Sequence, residues 1–341
     1  MDDSKNSSKS AFDTIFEMGL RGIVLFVALM GGLAVCIGIQ DILAGPRFRN
    51  DSHRNVSSTV GFPKTLTPID GKTVTIPTFP IRIVAANCGA ADMLSEMIDI
   101  KRLAAIPYQV EDYAADPKFW HDHPGIPRFE KFNAERILGF RPDLVISSAF
   151  QDGTAATLIE QQHVPILNLN DFETLNGIRE SIALVGEAVG AQDQAKMMTR
   201  RFDATLSEVA AALKDTPPVT VVIYSNFGVG YTVGSGVGQD DIVTRAGGIN
   251  LAAKSGMKGN AQISFEQLLR LDPDYILVTG DDGLDSPQAK LVLNEPSLKE
   301  LRAVKNRKLV VVKQRFFDAL SQYATQAVFD IARQLHPGAK L

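Results

Sequence analysis

Residues 134–147 read AERILGFRPDLVIS, and residues 265–278 read FEQLLRLDPDYILV. Laid over one another at a constant offset, they share Glu-x-[Ile/Leu]-Leu-x-[Phe/Leu]-x-Pro-Asp-x-[Ile/Val]-[Ile/Leu]. Each stretch reads as a short helix, a Pro-Asp corner and a buried strand. A fainter echo lies upstream in each half. There Asp92-Met93-Leu94 with Leu103-Ala104-Ala105 parallels Asp241-Ile242-Val243 with Leu251-Ala252-Ala253, across one single-residue gap. Two copies of one plan in the same order predict two similar lobes, and a cleft between paired lobes is a natural place for a ligand.

Around these stretches the strand-like runs 81–86, 165–169, 219–224 and 309–312 alternate with helical patterns. That alternation predicts an α/β fold of doubly wound, mostly parallel sheets. Asp70-Gly71-Lys72 followed by the alternating residues 73–76 reads as a short hairpin-like start to the folded body. Between the halves, residues 193–213 contain neither Gly nor Pro and keep Met197, Met198, Phe202, Leu206, Val209 and Leu213 at helical spacing. This predicts one long bridging helix, ended by Pro217-Pro218. A rigid link of this kind predicts a small opening motion of the lobes. The expected boundaries are a first lobe over 66–192, the bridging helix over 193–214 and a second lobe over 215–341.

The 341 residues are 45% hydrophobic and 22% charged, which excludes a disordered chain and a protein of many membrane spans. With 35 Lys and Arg against 39 Asp and Glu, no basic excess advertises a nucleic-acid partner. Two cysteines, Cys36 and Cys88, cannot make a disulfide-rich scaffold. Residues 22–39 (GIVLFVALMGGLAVCIGI) hold no ionisable side chain except the thiol of Cys36. The run is at the short end for a spanning helix and longer than the roughly 7–15 residues of a signal-peptide core. We read residues 1–45 as an uncleaved membrane anchor. A cleaved signal is the rival, since Lys5, Lys9 and Arg21 precede the run, but Ile42-Leu43-Ala44-Gly45 is a poor cleavage site. Leu33-Ala34-Val35-Cys36 also resembles a lipid-attachment box at Cys36, with Val35 where a small residue is expected, and a buried soluble helix is the remaining reading. Arg47, Arg49 and Arg54 follow the run, so flanking charge does not orient it. Residues 46–65 are polar and turn-rich, as in an extended tether.

The body resembles the helical-backbone class of periplasmic substrate-binding proteins, which feed ferric siderophores, cobalamin or haem to ABC importers. The elements that carry the resemblance run in order from the Asp-Gly-Lys-Thr-Val-Thr-Ile-Pro stretch at 70–77 and Arg82-Ile83-Val84. They continue through Glu135-Arg136-Ile137-Leu138 with Pro142-Asp143-Leu144-Val145, and the helix at 178–186. The second lobe adds residues 231–236, Ala246-Gly247-Gly248-Ile249-Asn250-Leu251-Ala252 and Ala303-Val304-Lys305-Asn306. The order and spacing are specific to a fold and say little about the ligand. The resemblance implies an extracytoplasmic, monomeric binding protein with no catalytic residues and no intrinsic cofactor. It also implies that Glu135 and Glu266, one per lobe, dock on arginines of the permease. A plain alternative is that each glutamate complements its helix dipole.

Ligand contacts are expected from loops at the carboxyl ends of strands. The candidates are Asn87, Tyr108, Tyr113, Trp120, Arg128 and Phe150 in the first lobe, with Asn226, Phe227, Tyr231, Arg315 and Phe316 in the second. Aromatic rings suit a flat or catecholate-rich chelate, and the arginines suit an anionic one. His121-Asp122-His123 invites a metal reading, but no third ligand is indicated by spacing, and a solvated turn before Pro124-Gly125 explains it as well. If haem is bound, the resemblance makes His121 or Tyr113 a candidate axial group. Cys88 stands before a predicted helix, which lowers a thiol pKa, or is a small buried residue. The glycine run at 228–238 fits neither nucleotide-loop template and reads as a flexible turn between strand and helix. No Gly-x-Ser-x-Gly elbow occurs with a placed histidine, so an α/β enzyme lacks its nucleophile. A membrane-tethered sensor or scaffold on the same fold is the other alternative.

Overall fold

The computed structural model describes residues 61–68, 71–148, 151–169, 173–319 and 321–341. The first lobe begins with a hairpin in which β1 (Lys64–Leu66) pairs antiparallel with β2 (Val74–Ile76). It continues through β3 (Ile83–Ala85), α1 (Cys88–Met97), β4 (Leu103–Pro107), β5 (Arg128–Phe129), α2 (Ala134–Gly139), β6 (Leu144–Ser148), β7 (Ile166–Leu169) and α3 (Leu175–Ala188). Its sheet has the order β5-β4-β3-β6-β7, and every pair is parallel. The bridging helix α4 (Gln192–Ala212) follows. The second lobe holds β8 (Val219–Ile223), β9 (Ser225–Asn226), β10 (Gly230–Val233), α5 (Gly238–Arg245), β11 (Gly248–Asn250), β12 (Asn260–Gln262), α6 (Phe265–Leu271), β13 (Tyr275–Thr279), β14 (Leu309–Val312), α7 (Gln314–Phe317) and α8 (Ala324–Leu335). Its main sheet is also all parallel, in the order β11-β8-β13-β14. With β5 set aside, the two sheets have the same strand order. The internal repeat is therefore a repeat of topology.

The Pro-Asp corner has a specific task in each copy. Asp143 accepts the amide protons of Ile81 and Arg82 at 2.8 and 2.9 Å. Its counterpart Asp274 accepts from the Thr220 amide at 2.9 Å and the Thr220 hydroxyl at 2.6 Å. Each carboxylate thus satisfies backbone at the head of the neighbouring strand, where no ladder partner exists. The residue before each proline, Arg141 or Asp272, adopts the left-handed conformation at φ 51° or 39°, which ends the preceding helix.

At about 1.5 Å per residue, the 21 residues of α4 span roughly 30 Å. The helix packs on α1 and α3 of the first lobe and on α5 and α8 of the second. One continuous apolar core runs from Ile83 and Ile146 through Met198 and Phe202 of α4 to Val221, Val310 and Ile331. Separating the lobes widely would expose this core, so burial itself opposes a large hinge motion. Helices α3 and α4 meet at Gly186, where a Cβ would stand 2.2 Å from the Ala195 Cβ. Gly186→Ala is expected to destabilise the fold by about 2 kcal/mol, read as a lowered urea midpoint at unchanged slope. An unchanged midpoint would show that the two helices part at no cost.

Four expectations are corrected. The run 228–238 is not a flexible turn, because it builds β10, which pairs antiparallel with β9 and β12. Gly234 is required there, since a Cβ would lie 2.2 Å from the Met257 carbonyl oxygen. The upstream echo holds for Asp92 in α1 and Asp241 in α5, but Leu251–Lys254 is a helical turn where Leu103–Pro107 is a strand. Asn250 starts that turn by accepting from the Ala252 amide at 3.1 Å. Finally, β1 begins at Lys64, inside the segment expected as tether, and Met197 on α4 is exposed instead of buried. The apolar run 22–39 and Cys36 lie outside the described residues. Among the described residues no helix is long and apolar enough to cross a membrane.

Candidate ligand-binding site

Parallel sheets bring the carboxyl ends of their strands, and the loops that follow, to one edge of each lobe. On the first lobe that edge carries Asn87, two residues after β3, and Tyr108, the residue after β4. The Asn87 Oδ1 caps α1 by accepting from the Ala90 amide at 2.8 Å, while its Nδ2 is buried without a protein partner. Tyr108 and Tyr113 are each 55% exposed. On the second lobe the β9–β10 hairpin presents Phe227, 75% exposed, beside the exposed Val229. These exposed rings lie where a ligand is expected, while Ile81, Leu158 and Met197 are apolar side chains exposed elsewhere on the surface. Phe150 lies outside the described residues.

The hairpin is held rigidly. Asn226 donates from Nδ2 to the Tyr224 hydroxyl at 3.2 Å and accepts from the Gly228 amide at 3.0 Å. Its backbone exchanges two hydrogen bonds with the Gln288 side chain, both at 3.1 Å. Asn226 therefore positions Phe227 and has its own polar groups engaged. Tyr231 is half-buried in β10, opposite Gln262. After β14, helix α7 carries Arg315 and Phe316. The Arg315 guanidinium stands 5.5 Å from the Phe316 ring centre and 3.6 Å from the Asp281 carboxylate, and its buried Nε has no partner. A cation with an unused, directed N–H at a strand end is suited to receive an anionic or carbonyl oxygen.

The segment 108–128 is braced. Trp120 is 1% exposed, set edge-on against Phe119 in the core of the first lobe, so the expectation that it meets a ligand is corrected. Arg128 is likewise committed: it pairs with Glu111 and donates to the Trp120 and Ile126 carbonyls, each at 2.7 Å. His121 Nε2 sits 2.7 Å from Glu111, and His123 Nδ1 lies 2.7 Å from the Phe119 carbonyl. These contacts engage one ring nitrogen of each histidine, and among the described residues no group of three His, Cys, Asp or Glu side chains is placed to hold a metal. Cys88 lies at the start of α1, yet burial, with Asp92 nearby, pushes its thiol up to about 12, so the helix terminus does not activate it. Between Tyr108 and α2 a cavity of about 400 Å³ is lined by Arg128, Phe129, Lys131 and Arg136.

Glu135 and Glu266 are exposed in the first turns of α2 and α6. Asn133 caps the one by accepting from the Arg136 amide at 2.8 Å, and Ser264 caps the other in a reciprocal box with Gln267. The caps are made by neighbours, which leaves both glutamates available. Residues missed at the sequence level are Val229, Gln288 and Tyr323, the last stacked on Phe316. They come from a hairpin tip, a distant helix and the approach to the last helix, and no local pattern ties them together.

A family model described as "Periplasmic binding protein" matches residues 83–316, and the chain belongs to that family. The cobalamin-binding protein of Halobacterium salinarum is 24% identical over 284 residues, which are 82% of this chain and 75% of that protein. Among solved structures, the periplasmic haem-binding protein RhuT from Roseiflexus sp. RS-1 superposes with a TM-score of 0.65 at 22% identity, over 75% of this chain and 98% of that one. An ABC-type Fe3+-hydroxamate transport system from Saccharomonospora viridis gives 0.66 at 21% identity, over 80% of this chain and 99% of that one. These two likenesses establish the two-lobed α/β fold.

Proposed function

We propose that the chain is the extracytoplasmic, membrane-tethered binding protein of an ABC importer, and that it captures a cobalamin-type corrinoid between its lobes. The observation that carries this reading is the set of exposed rings at strand ends of both lobes, Tyr108 and Tyr113 on one and Phe227 on the other. Flat apolar faces on two sides suit a large, mostly flat chelate, with Arg315 and the free Nδ2 of Asn87 for its peripheral oxygens. The relatives named for cobalamin support the ligand class; haem and ferric hydroxamates are the other members of that class to test. Glu135 and Glu266 would then dock the loaded lobes on the permease, and residues 22–39 would keep the protein at the membrane.

The full-length chain, titrated by equilibrium dialysis with cyanocobalamin, haemin and ferrichrome, is expected to bind cyanocobalamin saturably at one site. Binding of haemin or ferrichrome alone would move the assignment within the class. No saturable binding of any of the three would overturn it. Because Trp120 is buried, its fluorescence is a poor substitute for a direct binding measurement.

A further inference from the structure

The ligand loop of the second lobe is fastened from the first. Helix α7 is four residues long, closed by the Phe316, Phe317 and Asp318 amides on the Lys313 and Gln314 carbonyls at 3.0, 3.1 and 2.8 Å and by the Ala319 amide on the Phe316 carbonyl at 3.4 Å. So short a helix has no stability of its own and needs an outside brace. Within its own lobe Phe317 is buried in the core and Asp318 accepts from Gln239 Nε2 at 3.0 Å; the brace that reaches toward the other lobe is Tyr323, whose ring stacks on Phe316 at 6.4 Å between centres and 23° between planes. The Tyr323 phenol lies beside Glu96, which belongs to α1 in the other lobe and helps to hold it protonated. Gln322 joins it by donating from Nε2 to Glu96 Oε1 at 2.9 Å and to the Asp92 carbonyl oxygen at 3.0 Å. Arg201 on the bridging helix completes the set with an ion pair to Glu96. Burial, reinforced by Glu96 and Asp92, holds the Tyr323 phenol protonated far above its ordinary range, so it remains a donor.

We propose that Glu96 is a positioning residue for the binding site: through Gln322 and Tyr323 it sets where Phe316 and Arg315 stand, so that the first lobe adjusts the ligand contacts of the second. The inference rests on the reading of Phe316 and Arg315 as ligand contacts. A second bond between the lobes, from the Leu175 amide to Asp241 at 2.8 Å, bypasses α7 and serves as the control.

The test compares Glu96→Gln, Tyr323→Phe and Asp241→Asn in the full-length chain. Tyr323→Phe keeps the stacked ring and removes only the hydroxyl. Weakening this link, at the Glu96 carboxylate or at the Tyr323 hydroxyl beside it, is expected to speed hydrogen exchange at the Phe316, Phe317 and Asp318 amides about tenfold, and to weaken cyanocobalamin binding about tenfold. Asp241→Asn is expected to leave both unchanged. Unaltered exchange in Glu96→Gln and Tyr323→Phe, unaltered affinity in both, or equal acceleration in Asp241→Asn would overturn the proposal. A wild-type chain that binds none of the three chelates would instead overturn the proposed function, and the exchange rates alone would then decide whether Glu96 positions the loop.

Discussion

Reversing both glutamates proposed to dock on the permease, Glu135→Arg with Glu266→Arg, is expected to cut permease-coupled uptake of cyanocobalamin about 100-fold and to leave its binding affinity within about twofold. The two side chains lie on equivalent helices of the two lobes and are exposed, and among the described residues neither has an ion-pair partner within the chain. The only intramolecular role left is complementing a helix dipole, worth about 0.3–1 kcal/mol at each site. Asn133 and Ser264 keep the caps intact in the variant. An interfacial ion pair that is replaced by like charge costs about 2–5 kcal/mol, so two reversals suffice for near-complete loss of docking. Radiolabelled uptake in vesicles with the cognate permease reads the effect. Uptake at the wild-type rate would favour a tethered sensor on the same fold.

The second large effect concerns stability. Asp92 is buried in α1, accepting from the Ala115 amide at 3.2 Å, with Trp120, Glu96, Asp116, Cys88 and Tyr323 around it. Burial raises its carboxyl from 3.8 to about 7, and the neighbouring carboxylates Glu96 and Asp116 add to the rise. The folded chain therefore holds this proton more tightly than the unfolded chain. The stability it contributes is fully present below about pH 4 and is lost as the pH rises through about 7. The difference corresponds to about 4 kcal/mol. Asp92→Asn keeps an acceptor for Ala115 without the titrating proton. It is expected to gain stability on the order of 3 kcal/mol at pH 8.5, little at pH 4, and to flatten the pH profile between them. Urea unfolding at three pH values measures this; equal slopes for variant and wild type would contradict it.

The fold was legible because its signal is local and occurs twice. Pro142-Asp143 and Pro273-Asp274 each follow a residue that ends a helix in the left-handed conformation, a pattern contained within a dozen residues, while the strand heads that the two aspartates cap lie 61 and 54 residues upstream. The bridging helix was legible from apolar spacing over 21 residues, its observed length. The upstream echo failed at Leu251 because Asn250 captures the Ala252 amide and begins a helical turn where a strand was expected. The site was legible only in outline. Strand-end reasoning proposed Asn87, Tyr108, Phe227 and Arg315, which stand at or beside strand ends, but composition cannot distinguish an aromatic ring facing solvent from one filling a core. Trp120 and Phe227 look alike in sequence and stand at 1% and 75% exposure. The same limit applies to Arg128, whose commitment to Glu111 and two carbonyls depends on how the segment 108–128 folds back. Tyr323 and Glu96 are more than two hundred residues apart and meet only through the packing of the lobes.

The measurement that bears most directly on the account is hydrogen exchange of the full-length chain with and without saturating cyanocobalamin. Capture between the lobes predicts protection on both at once, at the loops following β3 and β4 around Asn87 and Tyr108, and at the β9–β10 hairpin and α7. Protection confined to one lobe, or located away from the carboxyl ends of the strands, would contradict it.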